Sequence, residues 1–126
     1  MKDNKQIKER SYEFSISIIK LIIALPKDTA GFVLGRQLVK SGTSIGANVE
    51  EAIGAFSKDD FIFKMNIALK EARETNYWLR LLYDSGLIRT EEVKNALRES
   101  EDLRNIISAI VKTSKERREV LKKSGS

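Results

Sequence analysis

The sequence predicts an all-α protein, an antiparallel four-helix bundle in up-down-up-down order. Apolar residues recur at helical spacing along most of the chain, and no segment shows the alternating pattern of a strand. The single proline, Pro26, separates two such stretches. The connections between the predicted helices are short, which favours antiparallel neighbours. A length of 126 residues fits one domain spanning 1–126.

The first helix is predicted from about residue 6 to residue 25, ahead of Pro26. Its core-facing residues recur at heptad spacing and are Ile7, Phe14, Ile18, Leu21 and Leu25. A second apolar stripe lies about 150° around the helix, and its residues are Tyr12, Ile16, Ile19 and Ile23. Because one core cannot easily cover both stripes, the second stripe predicts an interface with another subunit.

The second helix is predicted over 29–54, with Asp28 or Thr29 as its cap. Its core line is Leu34, Leu38, Ile45, Val49, Ala52 and Phe56. Gly35, Gly42 and Gly46 follow one edge of this line. Each costs roughly 1 kcal/mol relative to alanine, so we expect another backbone to pack closely there. A loop at SGTS, 41–44, is the alternative, because these residues also form turns.

The third helix is predicted over 58–84, with Ser57 as cap and acids in the first turn. Its core stripe is Phe61, Met65, Ala68, Ala72, Thr75, Leu79 and Leu82. Further apolar residues, Phe63, Ile67, Trp78 and Leu81, lie on another side, and we expect Phe63, Ile67 and Trp78 to join the subunit interface. Gly86 suits the left-handed closing residue.

The fourth helix is predicted over 90–122, with the core line Val93, Ala96, Leu103, Ile107, Ile110 and Leu121. Antiparallel packing would bring its end beside the start of the first helix. Both segments are basic: residues 1–10 carry +2 and residues 112–123 carry +4, which leaves −1 for the remaining chain.

We therefore predict one basic end of the bundle, suited to nucleic-acid phosphates. Its candidate contact residues are Lys5, Lys8, Arg10, Lys112, Lys115, Arg118, Lys122 and Lys123. In an oligomer these charges would repeat once per subunit. The alternative is that the cations only stabilise the negative end of the helix dipole.

The absence of cysteine and histidine removes most catalytic and metal chemistry. No phosphate loop or nucleophile motif occurs, and we predict no enzyme activity, metal or cofactor. A paired-metal site would need Glu-x-x-His units. We expect the helical polar residues Asn48, Glu51, Glu71 and Glu74 to be structural. The glutamates would pair with Arg36, Arg73, Arg80, backbone or amide groups, or simply be solvated. For Asn48 and Asn76 we expect hydrogen bonds across the bundle.

The N-terminal segment is highly charged, and the apolar stretch 14–25 is short and interrupted by Lys20. We therefore predict a cytoplasmic protein without a membrane span.

Two segments carry the most distinctive pattern, SGTSIGANVEEA at 41–52 and SKDDFIFKMNIALKEARETNYWLRLL at 57–82. Over about 14–110 the chain resembles the bacterial four-helix bundle family known as 23S rRNA intervening sequence proteins. The matching positions are Asn48, Glu51, Asp60, Phe61, Ala68, Glu71 and Glu74. Ala52 differs from the glycine that many members have there.

The resemblance implies a left-handed bundle that assembles as a homopentamer around a central channel. It also implies a connection with nucleic acid, because members are encoded within insertions of ribosomal RNA genes. The related accessory variability proteins of diversity-generating retroelements bind nucleic acid and a reverse transcriptase.

These observations favour a non-enzymatic, oligomeric RNA- or DNA-binding protein. The alternatives are an oligomeric adaptor that docks a protein partner such as a reverse transcriptase, and an enzyme with a carboxylate-bound metal.

Overall fold

The computed structural model describes residues 2–125, with side chains from Asn4 to Gly125. Its four helices are α1 (Lys2–Ile23), α2 (Thr29–Ile53), α3 (Lys58–Asp84) and α4 (Glu91–Gly125). Over this range the chain contains no strand. Each helix packs against the next in sequence and α4 packs against α1, whereas among the described residues no Cα atoms of α1 and α3, or of α2 and α4, lie within 8 Å of each other. The protein is therefore an all-α four-helix bundle with the helices in cyclic order.

Neighbouring helices are antiparallel, because contacts that advance along one helix move backwards along the next. Between α1 and α2, Gly42 lies against Ile18 and Gly46 against Ser11. Between α2 and α3, Ser41 contacts Thr75 and Glu51 contacts Lys64. Between α3 and α4, Asp59 contacts Arg118 and Asn76 contacts Ser100.

The predicted core is largely confirmed. All five core-facing residues predicted in α1 are buried, as are most of those in the other helices. Leu34, Phe61 and Ile110 are partly buried at the edge of the core. Two predictions are wrong: Phe56 is fully exposed because α2 ends before it, and Leu121 is 64% exposed because α4 continues beyond the other helices.

The segment 41–44 is helical, so the alternative of a loop there is wrong. A Cβ at Gly42 would lie 3.0 Å from two side-chain carbons of Ile18, and one at Gly46 would lie 3.1 Å from the carbonyl oxygen of Ser11. A glycine edge is therefore what lets α1 approach α2, and the resulting contacts offset the weak helix propensity of glycine.

Buried polar side chains bond across two of the helix interfaces. The Thr75 hydroxyl donates to Ser41 Oγ at 2.9 Å, and Asn76 Nδ2 donates to Ser100 Oγ at 3.0 Å. The bond across the bundle predicted for Asn76 is thus confirmed. The one predicted for Asn48 is wrong, because its Nδ2 donates to the carbonyl of Ser44 in its own helix.

The helix ends follow the sequence signals, with shifts at the chain termini. Asp28 and Ser57 cap α2 and α3 through backbone N–H groups of the first turn, as predicted. Gly86 adopts the left-handed conformation after α3. The α1 helix ends at Ile23, before Pro26, because a proline disfavours helical geometry in the preceding residue.

The first and last helices extend further towards the chain termini than predicted: α1 begins at Lys2 and α4 continues to Gly125. The prediction followed apolar periodicity, but charged residues with good helix propensity continue a helix beyond its buried stripe. None of the helices within 2–125 carries an apolar stretch long enough to cross a bilayer.

Candidate nucleic-acid interface

The start of α1 lies beside the C-terminal half of α4. A groove of about 970 Å³ connects them and is also lined by the link between α2 and α3. Asn4 and Ile7 of α1 share this groove with Ile110, Ser114 and Arg117 of α4. The two basic segments, a hundred residues apart in sequence, therefore meet at one end of the bundle.

Six of the eight predicted nucleic-acid contacts are exposed lysines at this end. They are Lys5 and Lys8 of α1 and Lys112, Lys115, Lys122 and Lys123 of α4. Of these, Lys5, Lys8, Lys112, Lys115 and Lys122 form no ion pair with any described carboxylate. Their positive charge is therefore available to an external anion.

The remaining two predicted contacts are engaged with carboxylates. Arg10 contacts Glu99 at 2.6 Å and Asp102 at 3.4 Å, and the hydrogen bond with Glu99 raises its pKa above the ordinary value. Arg118 contacts Asp59 at 3.1 Å. These arginines join α4 to its two neighbours, so we remove Arg10 and Arg118 from the candidate phosphate-binding residues.

The last two turns of α4 project from the bundle. Residues 119–125 are all exposed and helical, and they include Val120 and Leu121 as well as Lys122 and Lys123. We refer to 119–125 as the C-terminal extension. It presents cations at the negative end of a helix dipole, so the alternative of helix stabilisation applies to Lys122 and Lys123. Stabilisation of the helix dipole does not account for Lys5 and Lys8, which lie at the start of a helix, where the dipole is positive.

The structural glutamates pair differently from the prediction. Glu51 contacts Lys64 of α3 at 3.6 Å, and Glu74 accepts a hydrogen bond from Trp78 Nε1 at 3.4 Å. Their expected pairing with Arg36, Arg73 or Arg80 is wrong: within the described chain those arginines form no ion pair, and Arg80 donates to Asn76 instead.

Glu71 lies near Glu74 on the same face of α3. Burial raises the pKa of Glu71, and the charge of Glu74 adds to this effect, while Lys70 and Lys40 oppose it. Among the described residues, acidic side chains form no group of three or more that could hold a metal ion.

The apolar residues predicted to form a subunit interface differ in exposure. The α1 stripe of Tyr12, Ile16, Ile19 and Ile23 is exposed, with Ile23 at 73%. On α3, Phe63 is exposed, but Ile67 and Trp78 are half-buried and Trp78 packs against the core. Because α1 and α3 are diagonal in the bundle, the two apolar surfaces lie on different sides of the molecule.

Comparison with known proteins is consistent with this architecture. The family described as 23S rRNA-intervening sequence protein matches residues 3–109. The lysines from Lys112 onward lie beyond the matched residues. None of the curated proteins compared with the chain matches it.

A similar solved structure is that of a protein of unknown function from the S23 ribosomal protein family of Bacteroides thetaiotaomicron VPI-5482. It is 41% identical in sequence, with a TM-score of 0.81, and the match covers 87% of this chain and 98% of that one. The family match, the structural similarity and the order of the helices agree with one another. This chain therefore belongs to the 23S rRNA-intervening sequence protein family.

Proposed function

We propose that this protein is a non-enzymatic, oligomeric nucleic-acid-binding bundle that acts in the cytoplasm. It contacts RNA phosphates through the lysines at the end of the bundle where both termini lie. One observation carries the proposal: exposed lysines from opposite ends of the sequence converge on one end of the fold, and five of them, Lys5, Lys8, Lys112, Lys115 and Lys122, form no ion pair with a described carboxylate. The description of the family, which refers to 23S rRNA, favours RNA over other polyanions.

The exposed apolar surfaces support self-association. A stripe of aliphatic side chains such as that on α1 is costly to leave in water, and the surface around Phe63 of α3 lies on another side of the bundle. Contact between two different surfaces is heterologous, which builds a ring when the rotation closes. A ring agrees with the homopentamer implied by the family resemblance. It would gather one lysine cluster per subunit and raise the local positive potential.

The test is RNA binding by two variants with equal loss of charge at opposite ends of the bundle. One variant carries Lys112→Gln, Lys115→Gln and Lys122→Gln. The control carries Lys20→Gln, Lys27→Gln and Lys94→Gln, which lie at or near the other end. Affinity for a structured RNA is measured by filter binding over a range of salt concentrations.

The logarithm of the RNA-binding constant falls linearly with the logarithm of the salt concentration, and each lost phosphate contact makes this slope less steep by about 0.7–0.9. We therefore expect the first variant to lose about 2–3 from the magnitude of the slope and about tenfold or more in affinity at low salt, while the control changes little. Equal losses in the two variants, or no retention of RNA by the wild type at low salt, would contradict the proposal.

A second candidate function is that of an adaptor for a protein partner such as a reverse transcriptase. Phe56 favours it, because this aromatic side chain is fully exposed and lies at the mouth of the groove between α1 and α4. Phe61, Ile106 and Ile110 contribute apolar surface to the same groove. A partner that inserts an apolar side chain there would cover Phe56.

Native co-purification, with and without nuclease, separates the two functions. A partner retained after nuclease by the wild type and lost from Phe56→Ser supports the adaptor. A partner released by nuclease from both proteins supports binding through nucleic acid.

A further inference from the structure

Three arginines surround a polar groove between the C-terminal half of α3 and the middle of α4. The groove has a volume of about 410 Å³. Its lining side chains are Arg73, Asn76, Arg80, Arg104, Asn105 and Ser108. All six are polar, three are positively charged and none is acidic. We refer to this site as the arginine groove.

The charge of the arginine groove is not neutralised by the protein. Within the described part of the chain, no carboxylate lies within 4.0 Å of Arg73, Arg80 or Arg104. Arg10 and Arg118, in contrast, are paired with acids across neighbouring helices. Three like charges around one concave surface raise its positive potential and favour an external anion.

One of the three guanidinium groups is held in place by a hydrogen-bond chain that leads to the buried Asn76 and Ser100. Arg80 Nε donates to Asn76 Oδ1 at 3.0 Å, Asn76 Nδ2 donates to Ser100 Oγ at 3.0 Å, and the Ser100 hydroxyl donates to the carbonyl of Leu97 at 2.8 Å. Asn76 is only 4% exposed, so this chain is fixed by the helix packing. The Arg80 guanidinium also lies over the ring of Tyr77, 5.7 Å from its centroid.

This arrangement leaves the two terminal nitrogens of Arg80 without a hydrogen bond inside the described structure. A guanidinium that is oriented through Nε and free at both terminal nitrogens offers a planar fork of N–H donors. That geometry matches two oxygens of a phosphate, and fixing it in advance reduces the entropy lost on binding. The amides of Asn76 and Asn105 and the hydroxyl of Ser108 supply further polar groups around the fork.

We propose that the arginine groove binds a phosphate group, with Arg80 as the oriented fork and Arg73 and Arg104 as flanking cations. The phosphate belongs either to a nucleic-acid backbone or to a free phosphorylated compound. The inference goes beyond the proposed function, because a free compound would occupy the groove even if the lysine end bound no RNA.

The groove and the lysine end are connected along α4. At about 100° per residue, Arg104, Ser108, Lys115 and Lys122 fall within about 40° of one another on this helix. An RNA bound along this flank would meet the arginine groove first and the lysines of α4 further along. A free compound would use the groove alone.

The test uses two phosphate probes and charge-matched variants of the full-length protein. Inorganic diphosphate is titrated by calorimetry, and a labelled single-stranded RNA is titrated by fluorescence anisotropy at low salt. The groove variants are Arg80→Gln and the double variant Arg73→Gln with Arg104→Gln. The matched controls are Arg36→Gln and the double variant Arg36→Gln with Lys40→Gln, both on α2, whose described Cα atoms all lie more than 8 Å from those of α4. Circular dichroism melting confirms that each variant is folded.

We expect the groove variants to bind at least one probe about tenfold or more weakly, and the controls to stay within about twofold of the wild type. Loss of RNA binding alone identifies a backbone phosphate as the ligand, and loss of diphosphate binding alone identifies a free compound. Arg80→Lys keeps the charge but loses the fork, and should bind more weakly than the wild type.

The inference is overturned if the wild type binds neither probe, or if groove variants and controls bind both probes equally well. If RNA is not bound but diphosphate binding depends on the groove, the proposed function fails and this inference stands.

Discussion

Arg10 of α1 and Glu99 of α4 form a two-point contact, with Nη2 donating to Oε1 at 2.6 Å and Nε donating to Oε2 at 3.0 Å. This pair lies between two grooves that run along the interface of α1 and α4. It therefore joins the helices where apolar packing is incomplete. A guanidinium bound at two points by a carboxylate is geometrically specific and resists replacement by lysine.

We expect Arg10→Ala to lower the free energy of unfolding by about 0.5–1.5 kcal/mol, because the pair is partly exposed and bidentate. Urea denaturation at low and high salt measures the effect, which should shrink with salt. A double-mutant cycle with Glu99→Ala isolates the pair. A coupling energy near zero would show that the contact contributes nothing to stability.

The stability lost when a helical glycine is replaced by alanine should depend on the space available for a Cβ at that position. A Cβ at Gly31 would overlap the carbonyl oxygen of Pro26, and one at Gly46 would press on the backbone of Ser11, whereas the atoms nearest to a Cβ at Gly42 belong to the side chain of Ile18. Backbone moves less readily than a side chain. We expect Gly31→Ala to be the most destabilising, Gly46→Ala to cost about 1–3 kcal/mol, and Gly42→Ala to cost less, because better helix propensity offsets the crowding.

Thermal or urea denaturation of the three variants measures this order. Gly125→Ala is the control, because nothing lies within 4 Å of a Cβ there. A reversed order between Gly46→Ala and Gly42→Ala would show that α1 shifts away from α2 as a unit.

Glu71 should make stability depend on pH in a defined direction. Burial raises its pKa in the folded state above the ordinary value of 4.5, so the folded state holds the proton more tightly than the unfolded state. This favourable contribution is present at low pH and is lost as pH rises through the folded pKa. Relative to the wild type, Glu71→Gln should therefore gain stability between pH 4 and pH 7.

Urea denaturation at the two pH values measures the difference, with Glu50→Gln on the exposed side of α2 as the control. A stability difference that is the same at both pH values would contradict the prediction.

The apolar stripe on α1 should determine the mass of the protein in solution. Ile19→Glu places a charge at the centre of that stripe, and burying it in an interface would be unfavourable. We expect light scattering to give a multiple of the chain mass for the wild type and the mass of one chain for the variant. Val120→Glu, in the C-terminal extension, changes an exposed apolar residue outside the stripe and should leave the mass unchanged. A wild type that is already monomeric would refute the subunit interface.

The sequence by itself determined the helical architecture. Periodic apolar residues, caps such as Ser57 and the closing Gly86 act over one or two helical turns, so they can be interpreted without the rest of the fold. The same periodicity identified both the buried face of α1 and the exposed stripe opposite it. The glycines of α2 also indicated close packing, although not the residues that they meet.

Only the tertiary structure decided which positive charges are available to an external anion. Arg10 and Arg118 look like other basic residues in the sequence, yet each meets a carboxylate from a helix at least fifty residues away. Arg73 and Arg80 looked like partners for nearby glutamates, but the register of α3 against α4 brings them together with Arg104 at one groove that no acid lines. The reason is physical: a charge interacts with whatever lies within a few ångströms, and antiparallel packing sets those neighbours across helices.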